Sequence, residues 1–409
     1  VAQKIGDLYN LAMNLEKLNA EGVAPIQPEL DKIAAIKDKA GILQAMADLT
    51  GSAYFQFYVG ADIMDSKMNI FQLYQGGIGL GEKEYYLDTD EATTNIREGY
   101  KKHIVKMFQL IGQDEQTATK SMEAVMEIET RLAKKSFSAV EQRNPAANYH
   151  MLTLDELKKE IAGFDWDAYL NAVGVKGVTS LNVSQIEPVK EAVAIINEMP
   201  LDKQKAYLQW KLIDGAASYL SDDFVNANFD FYGRALQGKE ELQPRWKSSL
   251  AIVNRSLAEA FGQMYVEKYF PASSKEKMIE MVANLQTALG ERIEALEWMS
   301  EQTKSKAQEK LGTFIVKVGY PDNWKDYTAL EIKNDLIRAD TPIGRILKNY
   351  NVESRREINV IQIEKASDKL KELYNTEEDF LTRDYTIINN GEILMWIKEF
   401  FPINYFTEI

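Results

Sequence analysis

Signals that start and stop α-helices recur through most of the chain, and they constrain its fold more than any other feature. In MLTLDELKKEIAGFDW, Thr153 and Glu156 have the spacing of a capping box, in which the hydroxyl and the carboxylate each bond a free backbone amide. Gly163 follows as a stop signal, since glycine tolerates the left-handed conformation that ends many helices. The pattern predicts a helix over residues 154–162 and favours a mainly α fold.

The stretch SSKEKMIEMVANLQTALGERIEALEWM combines a second cap with a long apolar face. Ser273 and Glu276 fit another capping box, and Ser300 and Gly312 are the expected ends of a further helix. Apolar side chains recur in the stretch at helical spacing, at Met278, Met281, Val282, Leu285, Leu289, Ile293 and Leu296. This spacing predicts that the face packs in a hydrophobic core.

Composition limits the classes of partner. The chain has 409 residues, 45% of them hydrophobic, so we expect two structural units, because single cores stop growing near roughly 250–300 residues. A net charge of -14 argues against nucleic acid and anionic membranes as partners. With no cysteine, disulfides and thiol nucleophiles are excluded, and no apolar run reaches the roughly 18 residues of a membrane span. The start at Val1 is interpreted as a processed or truncated end.

Residues with metal-binding or catalytic chemistry are few. The two histidines, His103 and His150, are far apart in sequence, and neither belongs to an H-E-x-x-H motif. We therefore predict neither catalytic residues nor a metal site in this chain. His103 is expected to be a partly exposed helix residue, and His150 to lie just outside a helix start. The glycine-rich residues 72–88 (QLYQGGIGLGEKEYYLD) lack the spacing of a phosphate loop and no strand signal precedes them, so they are predicted to connect two helices.

Several longer segments resemble the neprilysin family of zinc endopeptidases. They are NIFQLYQGGIGLGEKEYYL, RNPAANYHMLTLDELKKEIAGFDWDAYL, YLQWKLI, the stretch from Arg245 to Leu311, and VGYPDNWKDY. The resemblance extends over residues 1–330. It implies a largely helical enzyme with two lobes around a cavity that admits oligopeptides. The segments present belong to the lobe that caps this cavity.

The same resemblance implies that the full-length family holds zinc through H-E-x-x-H and a later glutamate, and binds substrate on an N-A-[YF]-[YF] strand. None of these motifs occurs in the chain. We therefore expect the chain to hold no cofactor and to be inactive alone, a fragment of a zinc metalloendopeptidase. A periplasmic or extracellular location is favoured if a missing N-terminus carried a signal.

The sequence changes character near residues 330–334, which predicts a helical domain over residues 1–330 and a second one over 331–409. In the second, two β-branched and aromatic runs flank Asn390 and Gly391, a dipeptide typical of tight hairpin turns. The tail is therefore predicted to be a small α+β segment with an antiparallel hairpin.

The tail segments RADTPIGRILKNYNVESRREI and ILMWIKEFFPINYF resemble the second half of a chorismate lyase-type protein. That resemblance implies a substrate-binding role for Ile343, through its backbone, and for Glu399, at the phenol end of an aromatic acid. Two alternatives to a peptidase fragment thus stay open. One is a fusion related to the lyase, and the other is a peptide-binding or structural remnant without catalysis.

Overall fold

A computed structural model of the chain describes residues 2–49, 53–65, 69–175, 177–328, 330 and 332. The described residues form two compact units. The first comprises the N-terminal residues up to Ala20 together with those from Glu241 onward, and the second comprises Glu21–Glu240. Both are mainly α-helical, which confirms the predicted fold class. The predicted hairpin at Asn390 and Gly391 lies outside the described residues.

The α-helices of the described residues are α1 (Ala2–Met13), α2 (Leu15–Glu21), α3 (Gln27–Ala34), α4 (Lys39–Asp48), α5 (Glu84–Leu87), α6 (Glu91–Leu110), α7 (Glu115–Lys135), α8 (Ala139–Gln142), α9 (Leu154–Glu160), α10 (Trp166–Ala172), α11 (Ile186–Glu198), α12 (Leu201–Ala216), α13 (Asp222–Asn228), α14 (Arg245–Ser256), α15 (Ala258–Tyr269), α16 (Ala272–Glu294) and α17 (Glu301–Gly312). Short 3-10 turns span Ala24–Ile26, Ala146–Asn148 and Ala217–Tyr219, and a π-helical turn spans Phe229–Ala235. No helix in the described part of the chain is long and apolar enough to cross a membrane.

A four-stranded sheet lies within the second unit, which the helix signals did not predict. Its strands are β1 (Phe55–Ala61), β2 (Asn69–Gln75), β3 (Met151–Thr153) and β4 (Ser180–Val183), in the order β1-β2-β4-β3. β2 pairs with β1 antiparallel and with β4 parallel, and β3 pairs with β4 antiparallel. β3 and β4 have only 3 and 4 residues, too few for a periodic signal that stands out among helices.

The core of the second unit is rich in aromatic side chains. Helices α6 and α12 both pack against α7, and α11 packs against α7 and β2. The largest fully buried side chains of this unit are Trp166, Trp210, Tyr54, Tyr100, Tyr169, Tyr207, Phe55 and Phe108. The buried hydroxyls of Tyr54, Tyr100 and Tyr207 have hydrogen-bond partners, whereas that of Tyr169 has none among the described residues. The core is consequently built around hydrogen-bonded groups as well as apolar ones.

Two of the three predicted helix caps are confirmed. The Thr153 hydroxyl accepts from the Glu156 amide at 3.2 Å and the Glu156 carboxylate accepts from the Thr153 amide at 2.8 Å, so the capping box of α9 is complete. Ser300 caps α17 by accepting from the Thr303 amide. The capping box predicted at Ser273 is wrong, because α16 begins earlier, at Ala272, without a side-chain cap.

The first unit has a small core and one open face. Leu8 and Ala12 of α1 are fully buried, as is Val253 of α14, and the Arg245 guanidinium donates to the Ala12 carbonyl at 2.7 Å. Nothing on α16 is buried. Three members of its predicted core face, Met278, Met281 and Leu285, are 39%, 46% and 53% exposed. The prediction that this face packs in the core is therefore wrong for these three residues, whereas Val282, Leu289, Ile293 and Leu296 are partly covered.

Candidate functional site

A completely buried carboxylate, Glu129 of α7, organises the polar centre of the second unit. One of its oxygens accepts from the hydroxyl of Tyr86 at 2.6 Å and from that of Tyr100 at 3.0 Å. The other oxygen pairs with the Lys211 ammonium at 3.0 Å, and Glu129 is 0% exposed. Because each oxygen has a charged or hydroxyl donor, the cost of burying the charge is offset within the cluster.

The glycine-rich segment is fixed to this cluster at two points. The hydroxyl of Tyr86 accepts from the backbone amides of Gly79 and Leu80, both at 3.0 Å. Earlier in the same segment, the carbonyl of Gly77 accepts from the hydroxyl of Tyr207 at 2.7 Å. The backbone amides therefore bond tyrosine side chains, and the segment is a structural connection. It joins β2 to α5. The prediction that it links two helices is therefore wrong at the N-terminal end of the segment, where a strand precedes it.

Glycine is required in this segment because aromatic hydroxyls approach its backbone closely. A Cβ on Gly79 would lie 1.9 Å from the Tyr100 hydroxyl oxygen. Gly77 has a φ of 84°, in the left-handed region, and a Cβ there would lie 2.6 Å from the Tyr207 hydroxyl oxygen. The glycine spacing thus reflects packing against buried tyrosines rather than room for an anion.

The electrostatics of the cluster keep its tyrosines protonated. Burial, and then the negative charge of Glu129, raise the pKa of Tyr86 well above its ordinary value. The same two causes raise the pKa of Tyr100. Both hydroxyls therefore remain hydrogen-bond donors to Glu129 across the physiological pH range. A fully enclosed, fully bonded group of this kind can hold a loop in place, but it offers no oxygen to a substrate.

A second set of buried amides fixes the segment after α8 to the sheet. The Asn182 side chain donates to Gln72 at 2.7 Å and accepts from the His150 amide at 2.7 Å. The side chain of Gln185 donates to the side chain of Asn148 and accepts from the backbone amide of Gln75. Sequence reasoning missed these residues. The available signal was the repeated glutamine and asparagine within otherwise apolar strand sequences.

The two histidines have different environments. His103 lies on α6, as predicted, but it is buried, so the prediction of partial exposure is wrong. Its ring stacks on Phe231 and meets the edge of Trp210, both distant in sequence. His150 lies just before β3, and its Nδ1 contacts the Val183 carbonyl at 3.0 Å.

The described residues do not fit a zinc ion. They contain no group of three histidine, aspartate or glutamate side chains arranged to hold a metal. His103 Nε2 has one acidic neighbour, Asp214 at 3.9 Å, whereas a catalytic zinc site usually needs three protein ligands. Ile343 and Glu399, the substrate-binding residues predicted in the tail, lie outside the described residues.

One family model matches most of the chain. The sequence model of peptidase family M13 matches residues 1–321. The chain belongs to peptidase family M13. The resemblance to the neprilysin family is thereby confirmed. A second model, described as chorismate pyruvate-lyase Rv2949c-like, matches residues 316–408, in agreement with the resemblance seen in the tail.

Curated relatives agree with the M13 assignment. Endothelin-converting enzyme 1 of Rattus norvegicus is 27% identical over 381 residues, which cover 88% of this chain and 49% of the relative. Neutral endopeptidase of Lactobacillus helveticus is 29% identical over 352 residues, covering 85% of this chain and 54% of the relative. The chain thus spans about half the length of the relatives that it matches.

Solved structures agree with the fold. Mycobacterium tuberculosis zinc metalloprotease Zmp1, in complex with an inhibitor, has a TM-score of 0.77 and 32% identity, with 88% of this chain and 54% of that chain covered. PepO from Lactobacillus rhamnosis has a TM-score of 0.71 at 20% identity, covering 85% of this chain and 56% of that chain, and therefore supports the fold alone.

Proposed function

We propose that this chain supplies the helical capping lobe of an M13 zinc metalloendopeptidase and does not hydrolyse peptides by itself. The observation that carries the proposal is the M13 match over residues 1–321, in a chain that spans about half of its relatives. The substrates of the complete enzyme would be oligopeptides, as expected for the family. We further propose that residues 1–330 and 331–409 are separate domains of the sequence.

Exposed apolar side chains on two helices of the first unit support the proposal. On α15, Met264, Tyr265 and Tyr269 are 45%, 58% and 59% exposed. The face of α16 that carries Met281 and Leu285 is also open. Large open apolar patches usually mark a surface that binds another protein segment. The occupant that we propose is the zinc-binding segment of an M13 peptidase, which in the relatives would account for the part of their length that this chain does not match.

The chemistry of the side chains also supports a lobe without its own metal. His103 is enclosed by aromatic rings, and His150 contacts a backbone carbonyl. Neither imidazole is part of a three-ligand set within the described residues. Because M13 catalysis would need zinc to activate water, the residues described here would contribute shape and peptide contacts instead.

The proposal is tested by three measurements on the purified chain. Metal content after dialysis against zinc should be far below one ion per chain, and a fluorogenic peptide should not be hydrolysed. Saturable binding of a peptide of the same sequence without turnover would instead favour the peptide-binding remnant. Stoichiometric zinc accompanied by zinc-dependent cleavage would refute the claim that the chain is inactive alone.

The chorismate lyase-like match favours one alternative function for the tail. If Ile343 and Glu399 line a site for an aromatic acid, the chain should release pyruvate from chorismate. The assay couples pyruvate to lactate dehydrogenase, and Glu399→Gln is the matched variant. Pyruvate release that Glu399→Gln abolishes would favour the lyase-related fusion, whereas no release would leave the peptidase lobe as the better interpretation.

The join between the two matches can be tested at the level of the gene. One uninterrupted DNA read across the codons for Tyr327 to Asp340 shows whether the M13 segment continues into the tail. A read that continues into H-E-x-x-H would assign the first 330 residues to a complete peptidase. A read that reproduces the join would make the fusion genuine. A periplasmic or extracellular location, also proposed, is tested by fractionating the source cells.

A further inference from the structure

The outer strand of the sheet, β1, has a free edge among the described residues. It comes first in the strand order β1-β2-β4-β3 and pairs with β2 alone. No backbone–backbone hydrogen bond joins residues 56–61 to a described residue outside the sheet. A free strand edge presents a row of amide and carbonyl groups that can pair with another strand.

β1 also lacks the features by which proteins usually protect such an edge. Its seven residues, FQFYVGA, contain no charged side chain and no proline. Its register with β2 runs without a bulge from Phe55, opposite Gln75, to Ala61, opposite Asn69. By contrast β3, at the other edge of the sheet, has three residues, and α9 begins directly after it. Very short edge strands resist further pairing, so of these two edges β1 is the one open to another strand.

Apolar side chains are exposed on both faces of β1. Tyr58 is 52% exposed and Val59 is 40% exposed, and the two lie on opposite faces because successive side chains of a strand alternate. Beside β1, the ring of Tyr58 meets that of Tyr74 with 5.7 Å between ring centres. On the other face, Phe57 stacks on Phe71 at 5.1 Å. A strand added to β1 would extend both of these rows of side chains.

The side chains of β1 change in size along the strand. Residues 55–57 (FQF) are large and residues 59–61 (VGA) are small, with Tyr58 between them. In an antiparallel pair of two β1 strands centred on Tyr58, the facing residues are Phe55 with Ala61, Gln56 with Gly60, Phe57 with Val59, and Tyr58 with Tyr58. Each large side chain thus faces a small one, and such facing pairs stabilise a sheet. β1 is therefore complementary to a second copy of itself.

The charges near β1 are compatible with this pairing. The strand is neutral, and the acidic residues nearest to it in sequence, Asp62 and Asp65, follow its C-terminal end. Because the two strands are antiparallel, the acidic ends of the two copies would lie more than about 20 Å apart. Solvent screens charges beyond a Debye length of about 10 Å. The net charge of -14 is consequently not concentrated at this edge.

We propose that two copies of this chain pair through β1, antiparallel about a two-fold axis at Tyr58. The result is one continuous sheet with four strands from each copy, in which the same surface serves on both sides of the axis. The contact is narrow, so the association is weak and depends on concentration. The proposal concerns the second unit alone and does not depend on the proposed peptidase function.

Disulfide trapping tests the register, because the chain has no cysteine of its own. In the paired strands the two Cα atoms at position 58 lie about 4.5–5.5 Å apart, within the range of a disulfide. Oxidised glutathione should therefore convert Tyr58→Cys into a covalent dimer. Ala61→Cys is the matched control on the same strand, since its two copies would lie about 20 Å apart. Val140→Cys, at a residue of α8 that is 74% exposed, is the control outside the sheet.

All three cysteine variants are made together with Leu285→Glu, so that association through the exposed apolar side chains of α16 does not contribute. A dimer formed by Tyr58→Cys, and much less by either control, is the expected result. Equal cross-linking of the three variants would indicate random collision. That outcome, or the absence of a dimer from Tyr58→Cys, would overturn the proposal.

Two measurements on chains without cysteine check the same contact. In sedimentation velocity, Val59→Lys should raise the dissociation constant of the dimer about tenfold or more, because a charge on a strand edge opposes pairing, whereas Val140→Lys should leave it unchanged. In hydrogen exchange, the amides of residues 56–61 should be more protected at high than at low chain concentration. Protection that does not change with concentration would mean that no second copy covers β1, and would contradict the proposal.

Discussion

Replacing Glu129 by glutamine should destabilise the second unit more than any comparable change at an exposed ion pair. The substitution keeps the size of the side chain but removes the charge that holds Lys211. Lys211 is itself buried, with its side chain 7% exposed. The variant therefore leaves an ammonium group in the interior without a counter-charge, and the hydroxyls of Tyr86 and Tyr100 with a weaker acceptor.

The expected magnitude follows from the burial of both partners. Breaking a buried ion pair by removing one member costs about 3–5 kcal/mol, because the remaining charge stays desolvated. In Glu129→Gln combined with Lys211→Met, neither charge remains. The double variant should therefore lose about 1–3 kcal/mol less than the sum of the two single variants. Glu127→Gln is the matched control, because Glu127 lies on the same helix as Glu129. It breaks a half-exposed ion pair with Lys203 of α12 and should have a far smaller effect.

Urea unfolding followed by tryptophan fluorescence measures these differences. Trp210 is a suitable reporter, because it is fully buried and its indole donates to the Tyr100 hydroxyl at 3.0 Å. If Glu129→Gln cost no more than Glu127→Gln, the buried cluster would not be a stabilising centre. Strict additivity of Glu129→Gln and Lys211→Met would refute the inferred coupling between their charges.

Three further predictions concern other parts of the chain. Gly79→Ala should destabilise the second unit, because its Cβ would clash with the buried hydroxyl of Tyr100. Gly6→Ala, whose Cβ would have no atom within 4 Å, should be neutral or stabilising, and the urea midpoints of the two variants compare them. Hydrogen bonds from the Ser138 amide and then from Lys83 lower the pKa of Glu141 to about 2. The stability that these bonds contribute should be complete above the pKa of Glu141 in the unfolded chain and should be lost as the pH falls through the folded pKa. Lys83→Met should raise the folded pKa, which an NMR titration of Glu141 measures. We expect exposed apolar side chains on α16, such as Leu285, to promote self-association of the isolated chain, and Leu285→Glu should reduce it in sedimentation velocity because it places a charge there.

Local signals in the sequence predicted helices α9 and α17 and the caps at their starts. The Thr153 capping box and the Ser300 cap are recognisable because each depends on residues within one turn. The family resemblance likewise depends on contiguous segments. The pairing of β2 with β4 was missed because it is parallel, with Phe71 opposite Leu181, and such a partner cannot be identified from either strand alone.

Burial at single positions was harder to predict. His103 lies on an amphipathic helix, and the residues that enclose it, Trp210 and Phe231, come from segments more than a hundred positions away. The apolar face of α16 has the spacing of a core-facing helix, yet it is open in the described residues. Helical spacing identifies a face that needs a partner, but it does not say whether this chain provides one. Ile343 and Glu399 remain predictions.

The discontinuity of the first unit has a consequence for synthesis on the ribosome. Helix α1 needs α14, yet Ala12 and its hydrogen-bond partner Arg245 are separated by about 230 residues, or roughly 12–45 seconds of translation. During this interval the apolar side of α1 is without its native partner, while Glu21–Glu240, continuous in sequence, is already complete. Chaperones that hold unfolded chains should therefore bind the nascent helix α1. Slowing translation between α1 and α14 should prolong the time for which α1 needs them.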